Sequence, residues 1–428
     1  MNTSRLGARP TSARKSNSYK NALRSPVKKE GPSLRKHRPD YMLVVYMTIL
    51  LAVGAVTVYA ISPGITSGKN LSENFFSVKQ LTAIGLGAIA FIIASLVDTK
   101  TWKKLEIPLI VLAAVVAIAV RFVGEEVNGA YRWLQVGGLS FQAAELIKFT
   151  LVIWLAGYLA RVRVEGRTNS SAVLKVLGGV ILVIGFVVAG LQSDLGSAAV
   201  MMAIIGFMAF IAGLPLKKLL IVISIVALLS TIAVVSSPYR RDRVTTFLNP
   251  TADCQNEGYQ ACQALITVGS GGMFGKGLGR SVQAYGYLPE AANDSIFAIV
   301  SEKFGFVGST IILGVFVGLF RRIKNVAQHA PNDYSRLLVS GILAWLSVQM
   351  MINIGAMIGL IPLKGITLPF VSYGGTSIIF VMAAVGIVFH ISRYTDLTRS
   401  SAKSAPRQYG SKRHYSGETT RLNSVRTR

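Results

Sequence analysis

An all-α polytopic membrane protein of about ten transmembrane helices is the fold class this sequence predicts. Three observations carry it: half the residues are apolar, they gather in runs of bilayer length, and the basic residues sit between alternate runs and at both ends. The 428 residues are 51% hydrophobic with a mean hydropathy of +0.50, more apolar surface than a globular core hides. The first run, 41–61, carries no charge, and about 20 apolar residues cross a bilayer as a helix. Forty largely polar residues precede it, so it is expected to stay as a helix and not be cleaved as a signal peptide. Further runs lie near 81–97, 105–123, 144–160, 173–191, 195–215, 219–236, 295–320, 337–360 and 376–392.

The net charge of +26 is concentrated at the ends. Residues 1–40 hold eleven Lys/Arg against Glu30 and Asp40, and residues 393–428 hold nine against Asp396 and Glu418. Both segments are rich in Ser, Arg and Lys and poor in apolar residues. Two disordered basic tails, 1–40 and 394–428, are therefore expected around a membrane domain of 41–393. Basic flanks stay on the cytoplasmic side, so both termini are expected there, in agreement with an even number of spans. The tails then serve as topology signals and contacts for anionic lipid; nucleic acid is not an expected partner.

This threading leaves 62–80, 124–143, 192–194, 237–294 and 361–375 outside. The segment 237–294 is far longer than a connector needs to be. It holds both cysteines, Cys254 and Cys262, which in an oxidising exterior either pair as a disulfide or remain thiols. All four histidines, His37, His329, His390 and His414, fall on or near the inner side. A His-based triad or His-ligated zinc site outside is thereby excluded, and acid–base work there falls to carboxylates. The stretch 287–294 supplies two, Glu290 and Asp294, just ahead of the eighth run. A carboxylate at a bilayer boundary is costly enough to need a partner, a proton to handle or a substrate.

Cations outside are exceptions to the topology rule: Arg132, Arg240, Arg241, Arg243, Lys276, Arg280 and Lys364. Clustered guanidinium and ammonium groups suit phosphate or diphosphate; snorkelling, or pairing with Asp242, Asp253 and Glu257, is the plainer role. The glycines from Gly269 to Gly279 lack the Gly-Lys-Ser/Thr ending of a phosphate loop and read as re-entrant backbone at the membrane boundary. The segment 362–375 is too apolar to be simply solvated and is expected to fold back on the bundle. Within the runs, Glu145 and Lys148 share a helix face and can pair, and Asp194 can cap a helix. Glu302, accompanied by Lys303, lies about 12 Å deeper than Asp294 along a helix, which suits a structural or proton-path role.

Several ordered motifs resemble the SEDS family of multispan peptidoglycan polymerases typified by FtsW and RodA. They are Asn128-Gly129 with Arg132-Trp133, Gln142 to Lys148, Gln192 to Gly196, Arg243 to Pro250, Gly258-Tyr259-Gln260 with Gln263, Gly275 to Gly279, Leu288 to Phe297, and Gly359 through Gly375. The resemblance runs from about Asp40 to Arg393, and Ser281-Val282-Gln283 with Tyr287 to Ala291 is closer to the division branch, FtsW, than to the elongation branch. It implies a glycosyltransferase that joins lipid II units outside the plasma membrane at the division septum. The implied partners are a glycan on undecaprenyl diphosphate, a class B penicillin-binding protein transpeptidase and other division proteins. The family's proposed catalytic carboxylate falls on Asp294, as general base on the acceptor 4-hydroxyl, with Glu290 beside it. The leaving diphosphate would meet Arg243, Lys276 and Lys364 first, then Arg132, Arg240 and Gln263, or a divalent cation, Mg or Mn; no dedicated metal cage is visible. Glu145, Lys148, Asp194 and Glu302 take structural or proton-path roles. This chain departs from the family in Ala292-Asn293 where His-Thr is usual, in Ser295 for Phe, in Ala143 for Pro and in Lys303 for a second Glu. The alternatives are a lipid II flippase, an elongation polymerase and a catalytically weak scaffold.

Overall fold

The computed structural model describes residues 34–396, apart from 68–70, 128–129, 137–138, 236–240, 242–244, 246, 250–253, 257 and 284. Each of the ten apolar runs is helical: α1 (Met42–Thr66), α2 (Phe75–Leu96), α4 (Glu106–Val123), α5 (Ala143–Val164), α6 (Ser171–Ile184, continued as a π-helical segment Gly185–Leu191), α7 (Leu195–Ala212), α8 (Leu216–Val235), α10 (Ile296–Gln328), α11 (Asp333–Met357) and α12 (Gly375–Ile391). Two shorter helices, α3 (Thr99–Lys104) and α9 (Tyr259–Ser270), join them. Among the described residues, eight helices are long and apolar enough to cross a membrane, and α12 is a shorter apolar helix.

Helices α5 and α11 are the most deeply enclosed, whereas α2, α4 and α6 bury only one face. Ile89, Ile92 and Ile93 on α2 and Val111 and Val115 on α4 are exposed, as side chains facing hydrocarbon should be, since lipid removes the penalty for apolar exposure. The core sits where α11 packs on α5, α7 and α10, and α12 lies along α2.

Three features depart from a purely helical expectation. The segment after α4 forms an antiparallel sheet of β2 (Glu125–Val127), β3 (Ala130–Val136) and β4 (Leu139–Gln142), with Trp133 opposite Gln142 and Leu134 opposite Phe141. Its aromatic and branched residues suit a pleated surface. Next to the boundaries expected at 40 and 394, β1 (Leu34–Lys36) pairs antiparallel with β5 (Tyr394–Asp396), since satisfied backbone pairs order even a polar segment. The expected outer loop 237–294 carries α9, which packs against α10 and α11.

The glycine-rich stretch after α9 is held by a break in α10. Gly305 leaves helical geometry at φ 68°, ψ −168°, which frees backbone groups on both sides. Lys276 and Gly277 N–H donate to the carbonyls of Glu302 and Lys303, at 2.9 and 3.0 Å, and Phe306 and Val307 N–H donate to those of Gly272 and Met273, at 2.9 and 3.1 Å. Each of these helical bonds, once broken, is replaced by one to the loop. A Cβ at Gly275 would stand 2.2 Å from the Lys303 carbonyl oxygen, so only glycine permits this approach.

Candidate active site

Asp294 lies at the mouth of α10, where Ser295 occupies the N-cap position without a capping side-chain bond. Asp294 therefore stands just outside the helix and is half-buried. The preceding turn is built on Glu290, a non-glycine residue at φ 50°. The Glu290 carbonyl accepts from the N–H groups of Asn293 and Ser295, and its exposed carboxylate accepts from the Asn293 side-chain amide. Asn293, which stands where the family has threonine, thus engages Glu290, while Ala292 is buried.

The segment 361–374 folds back on the bundle, as its apolarity predicts: Ile366, Leu368, Phe370 and Val371 are buried. It is sewn to the start of α10. Tyr373 N–H donates to the Ala292 carbonyl at 2.8 Å, and Ser372 Oγ donates to the Asn293 carbonyl at 2.6 Å while accepting from Leu368 N–H at 2.7 Å. The Tyr373 ring packs edge-on against Phe76, and burial raises its phenol above the ordinary value, so it stays neutral. Among the described residues, Phe370 at φ 67° and Ser193 at φ 51° join Glu290 as the non-glycine residues with positive φ. All three border this region, where strained backbone tends to collect.

Two amides one turn apart on α11 clamp this segment from beneath. Gln349 Nε2 donates to the Thr367 carbonyl at 3.0 Å and to Thr367 Oγ1 at 3.2 Å. Asn353 Nδ2 donates to the carbonyls of Asp294 and Ile366, each at 2.7 Å. Lys364 lies two residues before Ile366, and a Cβ at Gly365 would stand 3.7 Å from Asp294 Oδ2. Asp294 and the Lys364 segment are therefore neighbours.

The remaining sequence-predicted residues fall into separate groups. Lys148 Nζ pairs with Glu145 Oε1 at 2.7 Å and donates to Gln349 Oε1 at 3.0 Å, with both charges buried. This pair abuts the clamp. Asp194 accepts from Ser197 N–H at 2.9 Å as the N-cap of α7, and Gly196 in the first turn packs against Ile366 and Lys364. Glu302 is fully buried and accepts from Lys276 Nζ at 3.3 Å, Ser281 Oγ at 2.5 Å and Val282 N–H at 3.3 Å. The Lys276 ammonium, expected on phosphate, is thus engaged with Glu302. Cys254 and Cys262 are joined as a disulfide. Gln263 is half-buried on α9; it is Gln260, one turn earlier, that reaches α10, at 3.4 Å from Ser295 Oγ. Arg240 and Arg243 lie outside the described residues, as does the Arg132 side chain on β3. No group of three or more His, Cys, Asp or Glu side chains that could hold a metal ion gathers among the described residues.

Sequence reasoning passed over Gln349 and Asn353, and it quoted Ser372 and Gln260 within motifs without giving either a role at the site. The signal was legible for the first two: amides four residues apart in a membrane helix share a face and seek partners inside the protein.

The profile of the FTSW_RODA_SPOVE family, described as cell cycle protein, matches residues 41–397. A probable peptidoglycan glycosyltransferase FtsW from Saccharophagus degradans is 39% identical over 379 residues, 86% of this chain and 96% of that protein. Stage V sporulation protein E of Bacillus subtilis is 37% identical over 84% of this chain and 99% of that one. Among solved structures, a chain from work on structural coordination of polymerization and crosslinking by a peptidoglycan synthase complex has a TM-score of 0.69 at 29% identity, over 83% of this chain and 98% of that one. Thermus thermophilus rod shape determining protein RodA has a TM-score of 0.61 at 26% identity, over 83% and 97%. With a match that spans the whole helical body, the chain belongs to the FtsW/RodA/SpoVE family of cell cycle proteins.

Proposed function

We propose that this chain is a peptidoglycan glycosyltransferase that polymerises lipid II outside the plasma membrane, with Asp294 as the general base. The observation that carries the reading is the juncture of Asp294 with the segment bearing Lys364, both held by Asn353, in a chain with glycosyltransferase-named relatives along nearly their full length. A sugar hydroxyl is a poor nucleophile, and a base that takes its proton in the transition state gives roughly 100- to 10,000-fold. The acceptor 4-oxygen bonds to the donor anomeric carbon as the bond to undecaprenyl diphosphate breaks. The proton passes to Asp294, and the diphosphate leaves as an anion.

Among the described cations, Lys364 is the one we assign to that anion, since it shares a segment with Gly365, which faces Asp294. Charge neutralisation at a leaving group is worth most in a dry, preorganised site. No step is routed through a protein-held metal; a divalent ion carried by the diphosphate itself is the form a cation would take here. The polymerase is favoured over the flippase because Glu145 and Lys148, which would line a transport path, are closed on each other and on Gln349. Both termini are assigned to the cytoplasm from the placement of basic residues, the working site to the division septum, and the partner to a class B transpeptidase.

The test is reconstitution of the full chain with its transpeptidase and labelled lipid II. Asp294→Asn, nearly isosteric but no base, is expected to abolish glycan polymer while leaving a folded protein. Long glycan made by Asp294→Asn would refute the assignment. Lipid II translocation that survives Asp294→Asn, with no polymer from either protein, would establish the flippase.

A further inference from the structure

We propose that Asn353 is a positioning residue for this reaction: its one amide nitrogen fixes the main chain of Asp294 against the segment that carries Lys364. The inference rests on the polymerase reading above and adds to it a residue that touches neither substrate nor the reacting atoms.

Asn353 is buried near the outer end of α11. An amide nitrogen carries two hydrogens, and both are engaged, one by the Asp294 carbonyl and one by the Ile366 carbonyl, each at 2.7 Å. The other ties described above lie elsewhere: Tyr373 and Ser372 bond to residues 292 and 293, and Gln349 bonds to Thr367. Loss of Asn353 therefore leaves the segment attached to the bundle and to the turn before Asp294. What it releases is the direction of the peptide at Asp294 and that of the segment two residues past Lys364. A general base and a diphosphate partner must act on opposite ends of one bond exchange, so their relative placement controls the rate more than it controls binding.

The same geometry gives Gln349 a different task. Its carbonyl accepts from Lys148 Nζ and Trp345 Nε1, so it anchors the segment to the buried ion pair, whereas Asn353 reaches Asp294 directly.

The full chain in nanodiscs, with its transpeptidase and lipid II, gives the test, with kcat expressed per folded protein as measured by size exclusion. Asn353→Asp replaces the donor nitrogen by an oxygen of the same size, and Asn353→Ser removes the reach without burying a charge. A displacement of about 1 Å at a reacting group costs about 100-fold, so kcat is expected to fall about 10- to 100-fold while KM for lipid II stays within about twofold. The proposal is overturned if kcat per folded protein in Asn353→Ser stays within about twofold of the parent, if KM rises while kcat holds, or if neither variant yields folded protein. Polymer formed by Asp294→Asn in the same assay counts against the base and not against Asn353, which is judged by its own split between kcat and KM.

Discussion

Replacing Lys276 by alanine separates two roles for this side chain, and the buried carboxylate it meets sets the size of the effect. Glu302 is fully buried, and its donors here are Lys276 Nζ, Ser281 Oγ and Val282 N–H. Removing one partner of a buried pair costs about 3–5 kcal/mol when the remaining charge is left uncompensated. Here two neutral donors remain and Lys276 is itself 35% exposed, so the loss is set lower, at about 2 kcal/mol. Glu302→Gln in the same molecule removes the stranded charge and is expected to restore most of that stability, because the amide oxygen can accept from Val282 N–H while the amide nitrogen donates to Ser281 Oγ, a hydroxyl that accepts as well as donates. The four proteins of the cycle are compared by thermal unfolding in detergent and by KM for lipid II. Two results would refute the reasoning. One is a double variant no more stable than Lys276→Ala. The other is a Lys276→Ala protein of undiminished stability and raised KM, which would return Lys276 to the substrate.

Gly305→Ala tests the broken helix. The new Cβ would stand 2.3 Å from Gly275 N at a backbone φ of 68°, and strain of about 1–3 kcal/mol with overpacking of similar size predicts a loss of about 3 kcal/mol or more. Hydrogen exchange should show faster exchange at the amides of Phe306 and Val307; unchanged protection there would contradict the pairing. Reduction of Cys254–Cys262, which closes a loop of eight residues, should cost about 2–3 kcal/mol. It is read as faster exchange along α9, with that along α11 unchanged.

The helical body was legible because bilayer-length apolar runs are a strong, local signal, and all ten of them are helices. The sheet at 125–142 was not, since a short strand among glycines has no period long enough to stand out from a loop. At the site, Asp294 was legible as a carboxylate at a bilayer boundary and Lys364 as a cation in an outer segment, the resemblance supplied the role of the aspartate, and their nearness came only from the fold. Lys276 shows the limit most clearly: a cation in an outer loop looks available for phosphate until a buried Glu302, 26 residues away, is seen beside it. Glu145 and Lys148 were readable as a pair from their spacing, but Gln349, 201 residues from Lys148, was not, because no sequence period links one helix to another.

The interruption at Gly305 divides the hydrogen-bond ladder of α10. A continuous helix of 33 residues would carry a push along its axis from one membrane face to the other. With the ladder broken and re-formed onto the loop from Gly272 to Gly277, that loop is bonded to residues 302 and 303 before the break and to residues 306 and 307 after it, so it splints the two halves of the helix. A helix long enough to span a bilayer is thus assembled from two rods and a splint, and the splint is the backbone of a glycine loop.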